Sequence, residues 1–127
     1  MKEEDHEDSS TVAKLVLVDE NGHVLFLKRT DYMDKFAGEW DLPGGHVHVG
    51  EKLLDGLQRE VEEETSLNIL RATLFTKIDN LYFFRAVYEG GDIVLSNEHS
   101  DFEFRDPLLL DNPSKFEKVA LMVVKDD

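Results

Sequence analysis

The stretch from Gly45 to Leu67, Gly-His-Val-His-Val-Gly-Glu-Lys-Leu-Leu-Asp-Gly-Leu-Gln-Arg-Glu-Val-Glu-Glu-Glu-Thr-Ser-Leu, decides how the rest of the chain is read. Between Glu51 and Thr65 only Gly56 interrupts a run of helix-compatible residues, so a helix is predicted there. At about 100° per residue, Leu53, Leu54, Leu57 and Val61 fall on one arc, the expected buried stripe. Asp55 and Glu62 fall opposite it, towards solvent. Glu60, Glu63 and Glu64 stand at i, i+3 and i+4 and share a face, with Glu64 close to the centre of the apolar stripe. Gly56 lies one turn before Glu60 on the same flank, where a missing side chain is expected to let a ligand approach.

Three carboxylates beside an apolar stripe repel one another, and burial raises their pKa values further. A marginally stable protein has no reason to keep that arrangement idle. Mg²⁺ resolves it, because it takes hard oxygen ligands, a few carboxylates, and leaves positions for water and phosphate oxygens. The competing reading is an ordinary solvated acidic face, against which the placement of Glu64 argues. Arg59 is the one nearby cation. Upstream, Gly44-Gly45 after Pro43 permits a tight fold against the helix and offers bare carbonyl and N–H groups to ligands. Glu51 suits the positive end of the helix dipole, and a pairing with Arg59 is as good a role for it as metal contact.

Taken together, Gly45, Glu51, Arg59, Glu60, Val61, Glu63, Glu64 and Leu67 resemble the signature box of the Nudix hydrolases. That box reads Gly, five residues, Glu, seven residues, then Arg-Glu-apolar-any-Glu-Glu-any-Gly-apolar. The departure is Ser66, which stands where the pattern has its last glycine. Glycine tolerates the left-handed conformation of a helix C-cap, and a serine kept there costs on the order of 1 kcal/mol. No candidate ligand is lost. Trp40-Asp41-Leu42-Pro43-Gly44-Gly45 looks like the usual entry to the box, and Glu98-His99 followed by Phe104 looks like the family's later acidic loop.

The resemblance implies an α/β fold, an α/β/α sandwich with a mixed β-sheet, and a MutT-like pyrophosphohydrolase that cuts a diphosphate linkage in a nucleoside diphosphate derivative. It implies Mg²⁺ as cofactor, with Mn²⁺ as a substitute. Carried over by position, Glu60, Glu63 and Glu64 hold the metal, the Gly44 carbonyl is a further ligand, and Arg59 orients the glutamates. Glu98 supplies a late-loop ligand or the general base, a role it shares as candidate with Glu60. A nucleoside triphosphate or a nucleotide sugar is the expected substrate.

Outward from the box, Thr11–Asp19 alternates apolar residues on both faces and is predicted as a strand buried on both sides. Asn21-Gly22 signals a type I′ hairpin into a second strand, His23–Arg29. Residues 30–42 look irregular. Pro43-Gly44-Gly45 is expected to break regular structure before a short strand at His46-Val47-His48. Further strands are predicted near Arg71–Lys77 and as a hairpin, Leu81–Tyr88 with Ile93–Leu95. Residues 101–110 are ambiguous. Asn112-Pro113 suggests a capped closing helix from 113 to 124.

Tyr32, Phe36 and Trp40 precede the box and are the better candidates for stacking a base; Tyr82, Phe83, Phe84, Phe102 and Phe104 could also stack one, but alternation along strands makes most of them core. His46 and His48, two apart on a presumed strand, face one side and are candidate phosphate contacts, with solvent exposure an equal reading. Gly45 joins them as a substrate-binding position. His6 and His23 carry no signal.

Length and composition set the limits. A chain of 127 residues, 41% hydrophobic with eight Phe, suits one packed domain, residues 11–127, behind a flexible acidic leader, residues 1–10. No run approaches the ~20 apolar residues that span a bilayer. The acidic N-terminus is unlike a signal peptide, and with no cysteine there are no disulfides, so a cytoplasmic location is expected. Twenty-eight acidic against fourteen basic residues give a formal charge of −14, which repels nucleic acid polymers and anionic membranes. Bound divalent cations would reverse that sign locally for an anionic nucleotide. A monomer or homodimer is expected. Two rival readings are a catalytically silent Nudix-like nucleotide-binding module and an acidic interaction protein. Magnesium-dependent turnover separates both from the enzyme.

Overall fold

A computed structural model describes residues 10–31 and 37–126. The predicted leader, apart from Ser10, and the stacking candidates Tyr32 and Phe36 lie outside the described residues.

The sheet is built around β1, Val12–Val18, whose side chains alternate between two cores. Ala13, Leu15 and Leu17 point into one, where they meet Leu53, Leu57 and Val61 of helix α1. Val16 and Val18 point into the other, against Val119, Ala120 and Val123 of helix α2. A strand buried on both faces needs apolar residues at successive positions, as the sequence of β1 predicts. Helix α1 spans Leu53–Thr65 and α2 spans Lys115–Asp126. The architecture is a mixed sheet between two helices, the expected α/β/α sandwich.

Strand β2, Val24–Arg29, meets β1 only near their connecting turn, at Val18 and Val24. Beyond it the two strands part. The short β3, Trp40–Asp41, and the longer β7, His99–Arg105, pair with β2, while β4, Gly44–His46, pairs with the start of β1. On its other edge β1 runs parallel to β6, Leu81–Val87, and β5, Thr73–Ile78, closes the sheet beside β6.

Several expectations are corrected. The turn at Asn21-Gly22 is not type I′, which requires positive φ at both central residues. Only Gly22 has it, at 78°, because the Asp19 carboxylate accepts the N–H groups of Asn21 and His23 and organises a wider turn. Within the supposedly irregular stretch, Trp40 and Asp41 pair with Lys28 and Leu27. Gly44-Gly45 does not break the structure but forms a strand, and His48 lies outside it. A Cβ on Gly44 would stand 2.8 Å from Lys14 Cα, so the bare backbone is what lets β4 approach β1.

Ile93–Leu95 forms no strand. Both edges of β6 are occupied, by β1 and β5, and the actual hairpin is β5–β6. Residues 93–96 dock instead on the end of α1, where Val94 N–H donates to Thr65 O and Ser96 N–H to Glu64 O. Helix α2 begins later than predicted. Ser114 and Glu117 exchange side chain-to-backbone bonds in a capping box, and Asn112 sits before it with φ 47°.

Candidate active site

Helix α1 buries Leu53, Leu57 and Val61, half-buries Leu54 and leaves Asp55 and Glu62 exposed, so the apolar stripe runs as predicted. Glu64 lies within that stripe and is only 6% exposed. One partner reaches it from β4: Gly44 N–H donates to Glu64 Oε1 at 2.8 Å. Burial pushes the Glu64 carboxyl up to about 8, with nearby Glu60 and Asp41 adding to the rise and Lys14 and the Gly44 N–H opposing it.

Glu60 lies one turn earlier, against Gly45. A Cβ there would come within 2.7 Å of the Glu60 carboxyl carbon. Arg59 Nη1 holds Glu60 Oε2 at 2.9 Å and reaches Glu63 Oε1 at 3.3 Å. The same guanidinium grips Glu51 through two bonds, Nε to Oε2 at 2.9 Å and Nη2 to Oε1 at 3.1 Å, and donates to His46 O. Glu51 is thus a clamp partner of Arg59, and that hydrogen bond is the main reason its carboxyl sits below its usual range. Gly56 does not open towards a ligand. It is buried, and a Cβ there would press on Val47 and Glu51.

A cavity of about 550 Å³ brings together Gly44, Gly45, His46, Glu60, Glu64 and Trp40 with Glu98 from the segment before β7. Thr30 N–H fixes the backbone of Glu98 by donating to its carbonyl at 3.0 Å. Hollows of about 250 and about 530 Å³ elsewhere contain none of these groups. Glu63 and Arg59 stand outside the cavity lining, Glu63 with a largely exposed side chain. His48 is exposed as well, beside Glu51 rather than at the cavity. It does not share a strand with His46, and of the two only His46 lines the cavity.

Sequence reasoning passed over Lys14, Arg29 and Phe116, which also line the cavity. For Lys14 a signal existed: a cation in a strand otherwise apolar on both faces. Its Nζ lies 2.9 Å from Asp41 Oδ2, 3.2 Å from Leu42 O and 3.3 Å from Gly44 O. Arg29 and Phe116 carried none, since each is ordinary for a strand end and an amphipathic helix.

Among the described residues, no three His, Asp or Glu side chains are grouped to hold a metal ion as they stand. Arg59 occupies Glu60 and Glu63, and Gly44 holds one oxygen of Glu64. The donor chemistry nevertheless fits a hard divalent cation. Glu60 and Glu64 offer carboxylate oxygens to one cavity, Gly44 adds a carbonyl, and the buried Glu64 bears a desolvation cost that a bound cation would offset.

Fold and site together define a class: a helix-covered mixed sheet with a carboxylate-lined cleft where β4 meets α1. The sequence pattern of the NUDIX domain matches residues 9–124. The chain belongs to the Nudix family. Over 110 residues it is 28% identical to the nucleoside triphosphatase NudI of Escherichia fergusonii, covering 72% of this chain and 78% of that one. A 49-residue match at 43% identity links 39% of the chain to the m7GpppN-mRNA hydrolase NUDT17 of Xenopus laevis, of which it spans only 17%. The crystal structure of a MutT Nudix hydrolase from Burkholderia pseudomallei superposes with a TM-score of 0.74 at 26% identity, covering 91% of this chain and 98% of that one. Among the described residues no helix is long and apolar enough to cross a membrane.

Proposed function

We propose that the chain hydrolyses a diphosphate linkage in a nucleoside diphosphate derivative, such as a nucleoside triphosphate or nucleotide sugar, with Mg²⁺ as cofactor. The observation that carries this reading is the meeting of Glu60 and Glu64 with Gly44 and Gly45 in one cavity, inside a chain that matches the family over most of its length. The name of the nucleoside triphosphatase NudI agrees with a small nucleotide as substrate.

Glu60 and Glu64 with the Gly44 carbonyl are the groups in the cavity that would hold the cation, and Glu63, outside its lining, would have to leave Arg59 to join them. When bound, a divalent cation neutralises phosphate charge and makes a coordinated water more acidic. Arg59, fixed by Glu51, keeps Glu60 and Glu63 oriented. Glu98 is the preferred general base, with Glu60 as alternative. Among the described residues its carboxylate has no hydrogen-bonding partner, whereas that of Glu60 is held by Arg59. Trp40 and His46 stand where they can meet the substrate's ring and phosphates.

A product screen tests the proposal. Purified protein with Mg²⁺ is offered nucleoside triphosphates, ADP-ribose, nucleotide sugars and dinucleoside polyphosphates, with Glu63→Gln as control. Cleavage that requires both the metal and Glu63 is the expected outcome. Tight nucleotide binding without cleavage of any member would instead indicate the catalytically silent module.

A further inference from the structure

Lys14 places a positive charge at the wall of the cavity, but its three donors already face Asp41, Leu42 O and Gly44 O. It has none left for a ligand. Asp41 differs. Its Oδ2 accepts from Lys14 and its Oδ1 from Leu42 N–H at 2.7 Å. A carboxylate accepts about four bonds, so roughly two acceptor positions remain, one on each oxygen, and no donor. The side chain is 13% exposed and lines the cavity, so those positions are available there and little elsewhere.

Two aromatic rings line the same cavity, Trp40 beside Asp41 in β3 and Phe116 from α2. Both are braced by cations. The Arg105 guanidinium lies 4.1 Å from the Trp40 centroid and Lys14 Nζ lies 5.6 Å from that of Phe116. Apolar ring faces beside a fixed acceptor edge form the usual pattern of a small-molecule pocket.

We propose that Asp41, with Trp40 and Phe116, is a ring-recognition site that selects heterocycles presenting two adjacent N–H donors, as guanine does with its ring N–H and 2-amino group. The inference rests on the reading of this cavity as the hydrolase site. Two acceptors on one rigid carboxylate match two neighbouring donors. A ring that presents a carbonyl to them sets lone pair against lone pair, and one that lacks the amino group leaves an acceptor of this largely buried carboxylate unpaired. The ion pair with Lys14 fixes the carboxylate and compensates its charge before substrate arrives.

The test compares GTP with ITP, which lacks only the 2-amino group, and with UTP, by kcat/KM in Mg²⁺. In parallel, GMP and IMP binding to the metal-free protein is followed by calorimetry. GTP is expected to exceed ITP by about ten-fold or more, GMP to bind correspondingly tighter than IMP, and Asp41→Asn to shrink both ratios to about three-fold or less. Equal turnover of GTP, ITP and UTP would overturn the ring site and leave the hydrolase reading standing. No turnover with GMP still preferred over IMP would do the reverse. If Asp41→Asn does not fold, the two comparisons on the unaltered protein decide alone.

Discussion

The Glu60 side chain lies in space that a side chain at residue 45 would fill: a Cβ on Gly45 would stand 2.7 Å from the Glu60 carboxyl carbon. Gly45 does not have positive φ, so its backbone suits alanine, and the nearest atoms in conflict all belong to Glu60. Gly45→Ala is expected to fold, at a cost of about 1–3 kcal/mol from overpacking. Its turnover should fall by roughly a hundred-fold, because a shift of about 1 Å in a reacting group has that effect. Steady-state kinetics beside a thermal melt would check it. Unchanged turnover would remove Glu60 from the site.

Arg59 is expected not to tolerate lysine. Its planar fork makes two bonds to Glu51 and one to Glu60, and an ammonium cannot reproduce both. Arg59→Lys should lower activity by about 10–100-fold, the usual effect of losing a group that orients ligands. The circular dichroism spectrum should stay the same.

Glu64 gives a pH dependence with a definite sign. Burial raises its carboxyl from 4.5 to about 8, so the folded metal-free protein keeps a proton that the unfolded chain has released. Stability from this group is complete below about pH 4.5 and declines as pH rises to about 8, at up to ~1.4 kcal/mol per pH unit. Urea unfolding in a chelator between about pH 5 and pH 9 should show that decline. Glu64→Gln, which keeps an acceptor for Gly44 N–H and cannot ionise, should flatten the profile and abolish turnover. An equally steep profile in the variant would refute the assignment.

His99 should act in the opposite sense. It is 5% exposed, its Nδ1 has no partner among the described residues, and burial lowers its pKa to about 4. Stability from its neutral form is complete above about pH 6.5 and is lost as pH falls towards 4. His99→Gln should weaken the acid-side slope of the same unfolding series.

Ser66 adopts φ 67°, the left-handed conformation that its position at the end of α1 demands. Both Ser66→Ala and Ser66→Gly lose the hydroxyl bond to Val94 O, but only glycine relieves the backbone. The glycine variant should therefore be the more stable of the two by about 1 kcal/mol, measured by denaturant midpoint. Activity should be unaffected in either.

What could be read in the sequence was what depends on local spacing. The period of Leu53, Leu57 and Val61 placed Glu64 in the buried stripe, and the alternation in β1 announced two cores. What could not be read depends on partners distant in sequence. Ile93–Leu95 has the composition of a strand, yet β6 had no edge left to offer it. Gly44-Gly45 looked like a break because nothing local shows that Lys14 lies close alongside. Asp41 and Lys14, 27 residues apart, carried no joint signal at all.

The parallel register of β1 with β6 links Val12 to Leu81 and Val18 to Val87. A nascent chain therefore holds its central strand unpaired along one edge until some seventy residues later have emerged, and local contacts cannot substitute for that closure. Pairings so distant are slow to form, since the entropy of closing the loop is spent before any contact repays it. Between synthesis of β1 and arrival of β6, the apolar face meant for α2 is open as well. Assembly of the cleft is thus a late event, and an apolar strand edge stays exposed to other chains meanwhile. The large negative charge of the chain keeps such intermediates apart by mutual repulsion. Its acidity would then protect the protein most during the interval before it can work.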